Sequence, residues 1–334
     1  MSKKGILLVN LGTPDSTKVS DVRKYLREFL MDKRVIDIPF LNRWMLVNLI
    51  IAPLRAPKST KEYERLFDEK GSPLKYFGFE VRDKLRKVID DQYQVELAMR
   101  YQNPSIEEGL RSLKNCSSIH VIPLFPQYAS ASTGSVQEKV MEIVKDWQII
   151  PDIKFTSQFF EEELFLDTIV DNAKNLIIKK DYDHFLFSYH GIPERQIAKG
   201  AVDDYCEFGT CCSSLTEKNR YCYRAQCFAT TRLLVEKLGL REGSYSVTFQ
   251  SRLGKTPWIK PYTDVALKEL AESGVKKVLA FSPSFISDCL ETTVEVGETY
   301  REDFKEAGGD EWDLVPSLNA EDKWVDCLKN MAEK

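Results

Sequence analysis

Short apolar runs alternate with helix-like segments along this chain of 334 residues, and this alternation restricts the fold more than any other feature. Continuous apolar strands separated by helices are typical of a parallel sheet that is covered on both faces. The pattern occurs twice along the chain, so we predict an α/β protein with two similar doubly wound, Rossmann-like domains. The apolar runs lie at 5–11, 95–99, 119–123, 184–189, 246–249 and 277–281.

The length supports two domains, since 334/150 is about 2.2. We place the domains at 1–150 and 151–334, and expect the last helix to pack back on the first domain. Hydrophobic residues make up 43% of the chain, which excludes a disordered protein. Lys and Arg number 47 against 51 Asp and Glu, so no basic field favours nucleic acid.

The apolar segments are too short to cross a membrane. The run 6–11 does not have the length of a signal peptide, and the stretch 44–54 covers about half a bilayer and is interrupted by Asn48 and Pro53. We therefore expect a cytoplasmic protein.

His190 closes the apolar run 184–189, at the end of a strand where ligands of such folds bind. A histidine there is a candidate general base or metal ligand, and the alternative is a structural role at the strand end. Of the other two histidines, we expect His120 in the core and His184 at the surface.

Four carboxylates follow the run 277–281, at Asp288, Glu291, Glu295 and Glu298. Steps of three, four and three residues predict a single face of an α-helix, within a helix from about 289 to 307. The row is either a solvated acidic face or a path that passes protons or a cation.

Aromatic and basic residues gather around the strand ends of the first half, next to the apolar stretch 40–54. They are Arg55, Tyr63, Arg100, Tyr101, Phe125 and Tyr128. Such residues suit a flat apolar ligand with peripheral carboxylates, although for each aromatic alone a place in the core is the simpler interpretation. The chain has neither a G-x-G-x-x-G nor a P-loop motif, which argues against a nucleotide.

Five of the eight cysteines lie within 22 residues, at Cys206, Cys211, Cys212, Cys222 and Cys227. Clustered thiols in a reducing compartment hold metal more often than they form disulfides. The spacing allows a tetrahedral zinc site, although C-x2-C pairs are absent, and equally a [2Fe–2S] cluster.

Taken together, the motifs resemble the ferrochelatase family over nearly the whole chain. The matching segments, in order, are GILLVNLGTP at 5–14, GSPL at 71–74, AMRY at 98–101, PQY at 126–128, SYHGIPER at 188–195, TFQSR at 248–252 and SDCLET at 287–292. The resemblance implies a pair of four-stranded domains with a porphyrin cleft between them and a cleft lip at about 36–75. It also implies insertion of Fe²⁺ into protoporphyrin IX to form protohaem, with release of two protons.

The resemblance carries roles to individual residues. His190 and Glu291 match the catalytic pair that handles the pyrrole protons and the substrate Fe²⁺, and Asp288 and Glu295 match a possible proton or metal path. The residues that match porphyrin-contacting positions are Arg55, Tyr63, Ser72, Arg100, Tyr101 and Tyr128.

The segment 206–223 looks inserted relative to family members that lack a cluster. Cys227 falls on the ordinary family framework, so the resemblance favours Cys206, Cys211, Cys212 and Cys222 as ligands of a [2Fe–2S] cluster, with Cys227 as a substitute and zinc as the alternative metal. Cys289 is an active-site neighbour that should not be essential.

Two other functions stay open at this point. The chain could be a chelatase for coproporphyrin or another tetrapyrrole, or a non-catalytic module that senses haem or iron through its thiols. A peripheral membrane contact through 40–54 would suit an apolar substrate.

Overall fold

The computed structural model describes residues 3–254 and 256–334, which contain eight strands and twelve α-helices. The strands are β1 Lys4–Gly12, β2 Tyr93–Tyr101, β3 Ser118–Pro123, β4 Asp152–Phe155, β5 His184–His190, β6 Tyr245–Gln250, β7 Lys277–Phe281 and β8 Glu311–Leu314. The helices are α1 Val19–Met31, α2 Phe40–Met45, α3 Ala52–Leu66, α4 Pro73–Val88, α5 Ile106–Leu113, α6 Ser135–Val144, α7 Glu163–Ile177, α8 Glu194–Lys199, α9 Tyr223–Leu238, α10 Thr263–Glu272, α11 Tyr300–Glu306 and α12 Asp322–Glu333. Three segments are π-helical, namely Leu46–Ile51, Ser130–Gly134 and Leu290–Thr299.

The chain divides into two compact units. Of the described residues, the first unit contains 3–125, 129–158 and 319–334, and the second contains 126–128 and 159–318. Each unit has one four-stranded sheet in which every neighbouring pair is parallel, with the strand order β2-β1-β3-β4 in the first and β6-β5-β7-β8 in the second. The α/β prediction is therefore confirmed.

The central strands explain this architecture. In β1 the run Ile6–Val9 is fully buried, because helices cover both faces of a parallel sheet and leave no polar side. The equivalent strand β5 buries Leu186 and Phe187 completely, and the Phe187 ring stacks on Phe281 of β7. Both strands end at the carboxyl edge of their sheet, where the first unit carries Gly12 and the second His190.

The last helix, α12, belongs to the first unit and packs against α4. The Lys84 ammonium of α4 donates to the Ala320 carbonyl oxygen at 2.7 Å and to the Asp322 carboxylate at 2.8 Å. These contacts hold the end of the chain against the first sheet's helical layer.

Three local predictions differ from the structure. The edge strands β4 and β8 are absent from the apolar runs found in the sequence, because each has four residues and half-exposed positions that weaken the apolar signal, although the resemblance implies four strands in each domain. The helix expected over 289–307 is π-helical over Leu290–Thr299 and α-helical only in α11. His184 is buried rather than exposed, since its Nε2 lies 2.9 Å from the Ser246 hydroxyl of the adjacent strand β6.

In the part of the chain that the structure describes, no helix has both the length and the apolar character that a membrane span requires.

Candidate active site

His190 is the last residue of β5, and its ring lies among aromatic side chains at the carboxyl end of the second sheet. Its centroid is 6.5 Å from the ring of Trp258 and 6.3 Å from the ring of Phe285. The Nδ1 atom lies 2.6 Å from the Gly191 carbonyl oxygen. Because a carbonyl oxygen only accepts, this contact requires a proton on Nδ1, which leaves Nε2 as the nitrogen that can carry a lone pair. The ring can therefore take up a proton or bind a metal ion through Nε2.

Gly191 allows the end of β5 to approach β6 closely. Its N–H donates to the Gln250 carbonyl oxygen at 2.8 Å. A Cβ atom on Gly191 would lie 2.7 Å from that oxygen and 3.2 Å from the Trp258 ring. The position of His190 thus depends on the absence of a side chain at the next residue.

Gln250 connects His190 to the acidic segment. It pairs with His190 in the β5–β6 register and is 1% exposed. Its Oε1 accepts from the Ser188 hydroxyl at 2.8 Å, which orients the amide. Its Nε2 then donates to the Glu291 carbonyl oxygen and to the Glu295 carboxylate, both at 3.0 Å.

Glu295 accepts hydrogen bonds on both carboxylate oxygens. Oε1 accepts from the Ser251 N–H at 3.0 Å and from the Tyr300 hydroxyl at 2.9 Å, while Oε2 accepts from the Gln250 amide and the Ser251 hydroxyl. Ser251 has a left-handed backbone with φ of 63°, which aims both of its donors at one carboxylate. Burial, followed by the charge of Glu295, raises the pKa of Tyr300 well above its usual value, so the phenol remains a donor. Four hydrogen bonds from three residues therefore fix the position of this carboxylate.

The four carboxylates do not form one α-helical row, so that prediction is wrong. Asp288 precedes the helix, and the other three lie in the π-helical segment Leu290–Thr299. A π-helix bonds i to i+5, as the Tyr300 N–H does to the Glu295 carbonyl, and steps of three and four residues do not align on it as they do on an α-helix. π-Helical turns occur frequently at functional sites.

Cys289 lies beside Glu291 at the start of the π-helical segment. Burial and the neighbouring Glu291 carboxylate both raise the pKa of its thiol well above the usual value. The thiol is therefore protonated near neutral pH and is a poor metal ligand.

The thiols of Cys206, Cys211, Cys212 and Cys222 form one continuous group in the loop before α9. The Sγ atoms of Cys211 and Cys212 are 3.9 Å apart. Burial and contact with Cys211 raise the pKa of Cys206, while a hydrogen bond between Cys212 and Cys222 raises the pKa of the former and lowers that of the latter. All eight cysteines are free. Within residues 3–254 and 256–334, no set of three or more His, Cys, Asp or Glu side chains is arranged to hold a metal ion.

Cys227 lies inside α9 and is fully buried. Burial raises the pKa of its thiol well above the usual value. Arg224, one turn earlier, places its guanidinium 4.6 Å above the Phe228 ring and lowers the pKa of Cys212 through hydrogen bonding and charge. A cation therefore lies next to the thiol group.

In the first unit, Arg100 and Tyr101 bind Asp32. The Arg100 guanidinium is 2.7 Å from the Asp32 carboxylate, and the Tyr101 hydroxyl donates to the same oxygen at 2.9 Å. Ser135 also donates to it. Burial raises the pKa of Asp32, but the bonds from Ser135 and the Arg34 backbone, together with the Arg100 charge, outweigh burial and hold the pKa below its usual range. Both candidate porphyrin residues are thus engaged within their own unit.

Tyr63 and Ser72 are buried in the first unit. The Tyr63 ring meets the Tyr25 ring edge-on at 6.1 Å, and the Ser72 hydroxyl donates to the Thr13 hydroxyl at 3.0 Å. In this arrangement their side chains support α3 and the start of α4.

Arg55 and Tyr128 are more accessible. Arg55 is exposed on α3, directly after an apolar segment whose Phe40, Leu49 and Leu54 side chains are 64%, 62% and 73% exposed. Tyr128, in the second unit, is half-buried with its ring 5.6 Å from the Tyr221 ring.

The sequence analysis predicts no role for three residues of the site, namely Gln250, Tyr223 and Arg224. Gln250 had one available signal, since it closes an apolar strand as His190 does. Tyr223 and Arg224 had only their position after Cys222, and their hydrogen bonds to the His190 and Lys260 carbonyls join residues that are 33 and 36 positions apart.

The two four-stranded parallel sheets, with a histidine at the end of a central strand, define a two-unit α/β protein. SirB from Bacillus subtilis with Fe³⁺ shares this fold with a TM-score of 0.56 at 11% identity, over 99% of this chain and 94% of that one. A family model described as Ferrochelatase matches residues 3–334.

Curated relatives agree with the family model over their full length. The ferrochelatase of Legionella pneumophila (strain Lens) is 44% identical over 332 residues, covering 99% of each chain. The ferrochelatase of Coxiella burnetii (strain Dugway 5J108-111) is 42% identical over 340 residues, covering 100% of this chain and 94% of the relative. The chain therefore belongs to the ferrochelatase family, whose members are lyases that insert a metal ion into a porphyrin in haem synthesis.

Proposed function

We propose that this protein inserts Fe²⁺ into protoporphyrin IX, releasing two protons as protohaem forms. Family membership supports porphyrin metallation. The observation that carries the proposal is the hydrogen bond that the His190 Nδ1 donates to the Gly191 carbonyl oxygen. This bond leaves Nε2 as the nitrogen of the imidazole that is available to react.

His190 and Glu291 are the proposed catalytic pair. Metallation removes two pyrrole protons, and a neutral imidazole can accept such a proton. One imidazole and a carboxylate also bind Fe²⁺ weakly enough to release it, as delivery to a porphyrin requires. The Gln250 bond to the Glu291 carbonyl supports this pairing by joining the two segments.

Asp288 and Glu295 are proposed to line the path of protons or of Fe²⁺. Four hydrogen bonds are donated to the Glu295 carboxylate. We therefore propose that this carboxylate stays in place and attracts the cation, and that it does not move along the path with the cation.

Six residues are proposed to form or support the porphyrin-binding surface. Arg55 is the candidate for a direct ion pair with a propionate, because it is exposed. Arg100 and Tyr101 are proposed to act through the Asp32 network. The others are Tyr63, Ser72 and Tyr128.

The test is an anaerobic assay with Fe²⁺ and protoporphyrin IX, in which the porphyrin spectrum should convert to that of haem. His190→Ala should lower kcat by roughly 10²–10⁴-fold, and Glu291→Gln should also lower it. His184→Gln is the matched control, because it changes a buried histidine on the same strand and should retain activity. An inactive wild type, or a fully active His190→Ala variant, would refute the proposal. Coproporphyrin added in competition distinguishes the alternative substrate.

A [2Fe–2S] cluster on Cys206, Cys211, Cys212 and Cys222 is the proposed resident cofactor. Cysteine thiolates are the ligands that this group takes, although the four thiols are not arranged around a metal position in this structure, and the nearby Arg224 cation would offset the negative charge of thiolates. When bound, the group would serve structure or sensing, since metal insertion transfers no electrons. Cys227 is the substitute ligand and zinc the alternative metal.

The visible spectrum and the iron-to-sulfide ratio of freshly purified protein test this assignment. Cys222→Ser should abolish the cluster spectrum, while the buried Cys227→Ser should preserve it. A colourless wild type that contains one zinc ion would contradict the cluster.

A peripheral membrane contact through 40–54, in a cytoplasmic protein, is supported by the exposed Phe40, Leu49 and Leu54 side chains. The wild type should sediment with lipid vesicles and Leu49→Asp/Leu54→Asp should not. Equal sedimentation of both would refute the contact.

A further inference from the structure

The Tyr223 hydroxyl reaches the main chain of His190. Tyr223 is 6% exposed and is the first residue of α9. Its hydroxyl donates to the His190 carbonyl oxygen at 2.8 Å and lies 3.0 Å from the Ser284 hydroxyl. This bond attaches α9 directly to the residue proposed as the catalytic base.

The bond is made where the strand ladder ends. Beyond His190 the chain leaves β5, and the Tyr223 hydroxyl supplies the His190 carbonyl with a donor from outside the sheet. The neighbouring Ser284 hydroxyl donates to the Gln127 side-chain oxygen at 3.1 Å, and the Gln127 amide donates to Thr230 of α9 at 3.1 Å.

The same helix begins at the cysteine insert. Cys222 is the residue that caps α9, and it is bonded through one peptide to Tyr223. Its thiol contacts Cys212, which is followed in the group by Cys211 and Cys206. A rearrangement of these thiols would displace the first turn of α9 and, with it, the Tyr223 hydroxyl.

We propose that Tyr223 is a positioning residue, which holds the backbone of His190 and transmits the arrangement of the cysteine insert to it. The inference rests on the role proposed above for His190. It gives the insert an effect on metallation that needs no electron transfer.

The first experiment compares Tyr223→Phe with Tyr189→Phe. Both changes remove one buried hydroxyl from the second unit, but the Tyr189 hydroxyl lies 2.8 Å from Thr231 and not at His190. Nitrogen NMR of the imidazole rings resolves the chain's three histidines, with His120 and His184 as internal references. Among the three histidines, only His190 should show shifted signals in Tyr223→Phe. The same variant should have a kcat about tenfold lower, as the loss of one positioning hydrogen bond predicts, and its KM for porphyrin should change by less than about twofold. Tyr189→Phe should leave the His190 signals unchanged.

The second experiment combines Tyr223→Phe with Cys206→Ser, which alters the insert at its far end. Cys206→Ser alone should shift the His190 signals, and in the Tyr223→Phe background it should add little. Transmission is refuted if Cys206→Ser leaves the signals of His190 unmoved or moves them equally in both backgrounds. Wild-type His190 signals and kcat in Tyr223→Phe would overturn the positioning role. The NMR readings need no turnover, so they decide this inference even if the wild type fails to metallate porphyrin.

Discussion

The side-chain amide of Gln250 donates to the backbone carbonyl of Glu291 at 3.0 Å, across 41 residues of sequence. Gln250 is also the strand partner of His190. One buried amide therefore sets the spacing between the strand that carries the histidine and the π-helical segment that carries the acids.

Replacement of this amide by a carboxylate tests that relationship. Gln250→Glu preserves the shape of the side chain but turns the donor toward Glu295 into a like charge. We expect the free energy of unfolding to fall by about 2–4 kcal/mol and kcat to fall at least about tenfold. Gln94→Glu is the control, because its amide also lies near a carboxylate, that of Glu96 at 3.4 Å, but in the first unit. Equal effects of the two substitutions, measured by urea unfolding and by turnover, would contradict the assignment.

Asp32→Asn should destabilise the first unit in a pH-dependent way. The folded pKa of Asp32 lies below its unfolded value of about 3.9, so its contribution is complete above that pH and is lost as the pH falls through the lowered pKa. At pH 7 the substitution should cost about 3 kcal/mol, because it leaves the Arg100 charge without its partner. Urea unfolding should show this difference shrinking below about pH 4. Asp83→Asn, at an exposed ion pair with Arg82, should change stability by less than about 0.5 kcal/mol throughout.

The two buried histidines should make the protein sensitive to mild acid. Burial, aided for His120 by the Lys154 charge, lowers the pKa of His120 and of His184 to about 4. Because the unfolded chain takes up these protons near pH 6.5, stability should fall as the pH drops from about 6.5 to 4, by roughly 3 kcal/mol per histidine. The free energy of unfolding of the His184→Gln variant should fall about half as steeply over this pH range. Unfolding curves that run parallel for wild type and variant would count against this explanation.

Gly191→Ala should disturb the site while leaving the fold intact. The new Cβ would lie 2.7 Å from the Gln250 carbonyl oxygen, so the end of β5 must shift. We expect the free energy of unfolding to fall by about 1–3 kcal/mol. We expect kcat to lose a larger fraction of its wild-type value than the free energy of unfolding does. At Gly200 the nearest atom would be 3.6 Å away, so Gly200→Ala should have near wild-type activity and stability. Thermal unfolding together with the anaerobic assay measures both effects, and wild-type behaviour of Gly191→Ala would exclude a crowded turn.

Local pattern was sufficient for much of the architecture. The bounds of β7 at Lys277–Phe281 coincide with the apolar run 277–281, because a continuous apolar run is a property of neighbouring residues. The start of α5 is local in the same way, since Ser105 caps the helix and Glu108, three residues later, completes the capping box. The edge strand β8 lacked such a pattern, since it pairs on one side only.

The sequence alone determined that His190 ends a strand of an α/β protein, since the apolar run before it and the turn residues after it are contiguous. It also determined the family, through motifs spread over the whole chain. Only the tertiary structure decided that His184 is buried, that Glu291 and Glu295 lie on a π-helix, and that Gln250 and Tyr223 meet the site. The reason is physical. The hydrogen bonds of Tyr223, Gln250 and His184 join residues that are 33 to 62 positions apart, and the period of a helix or a strand carries no information about such partners.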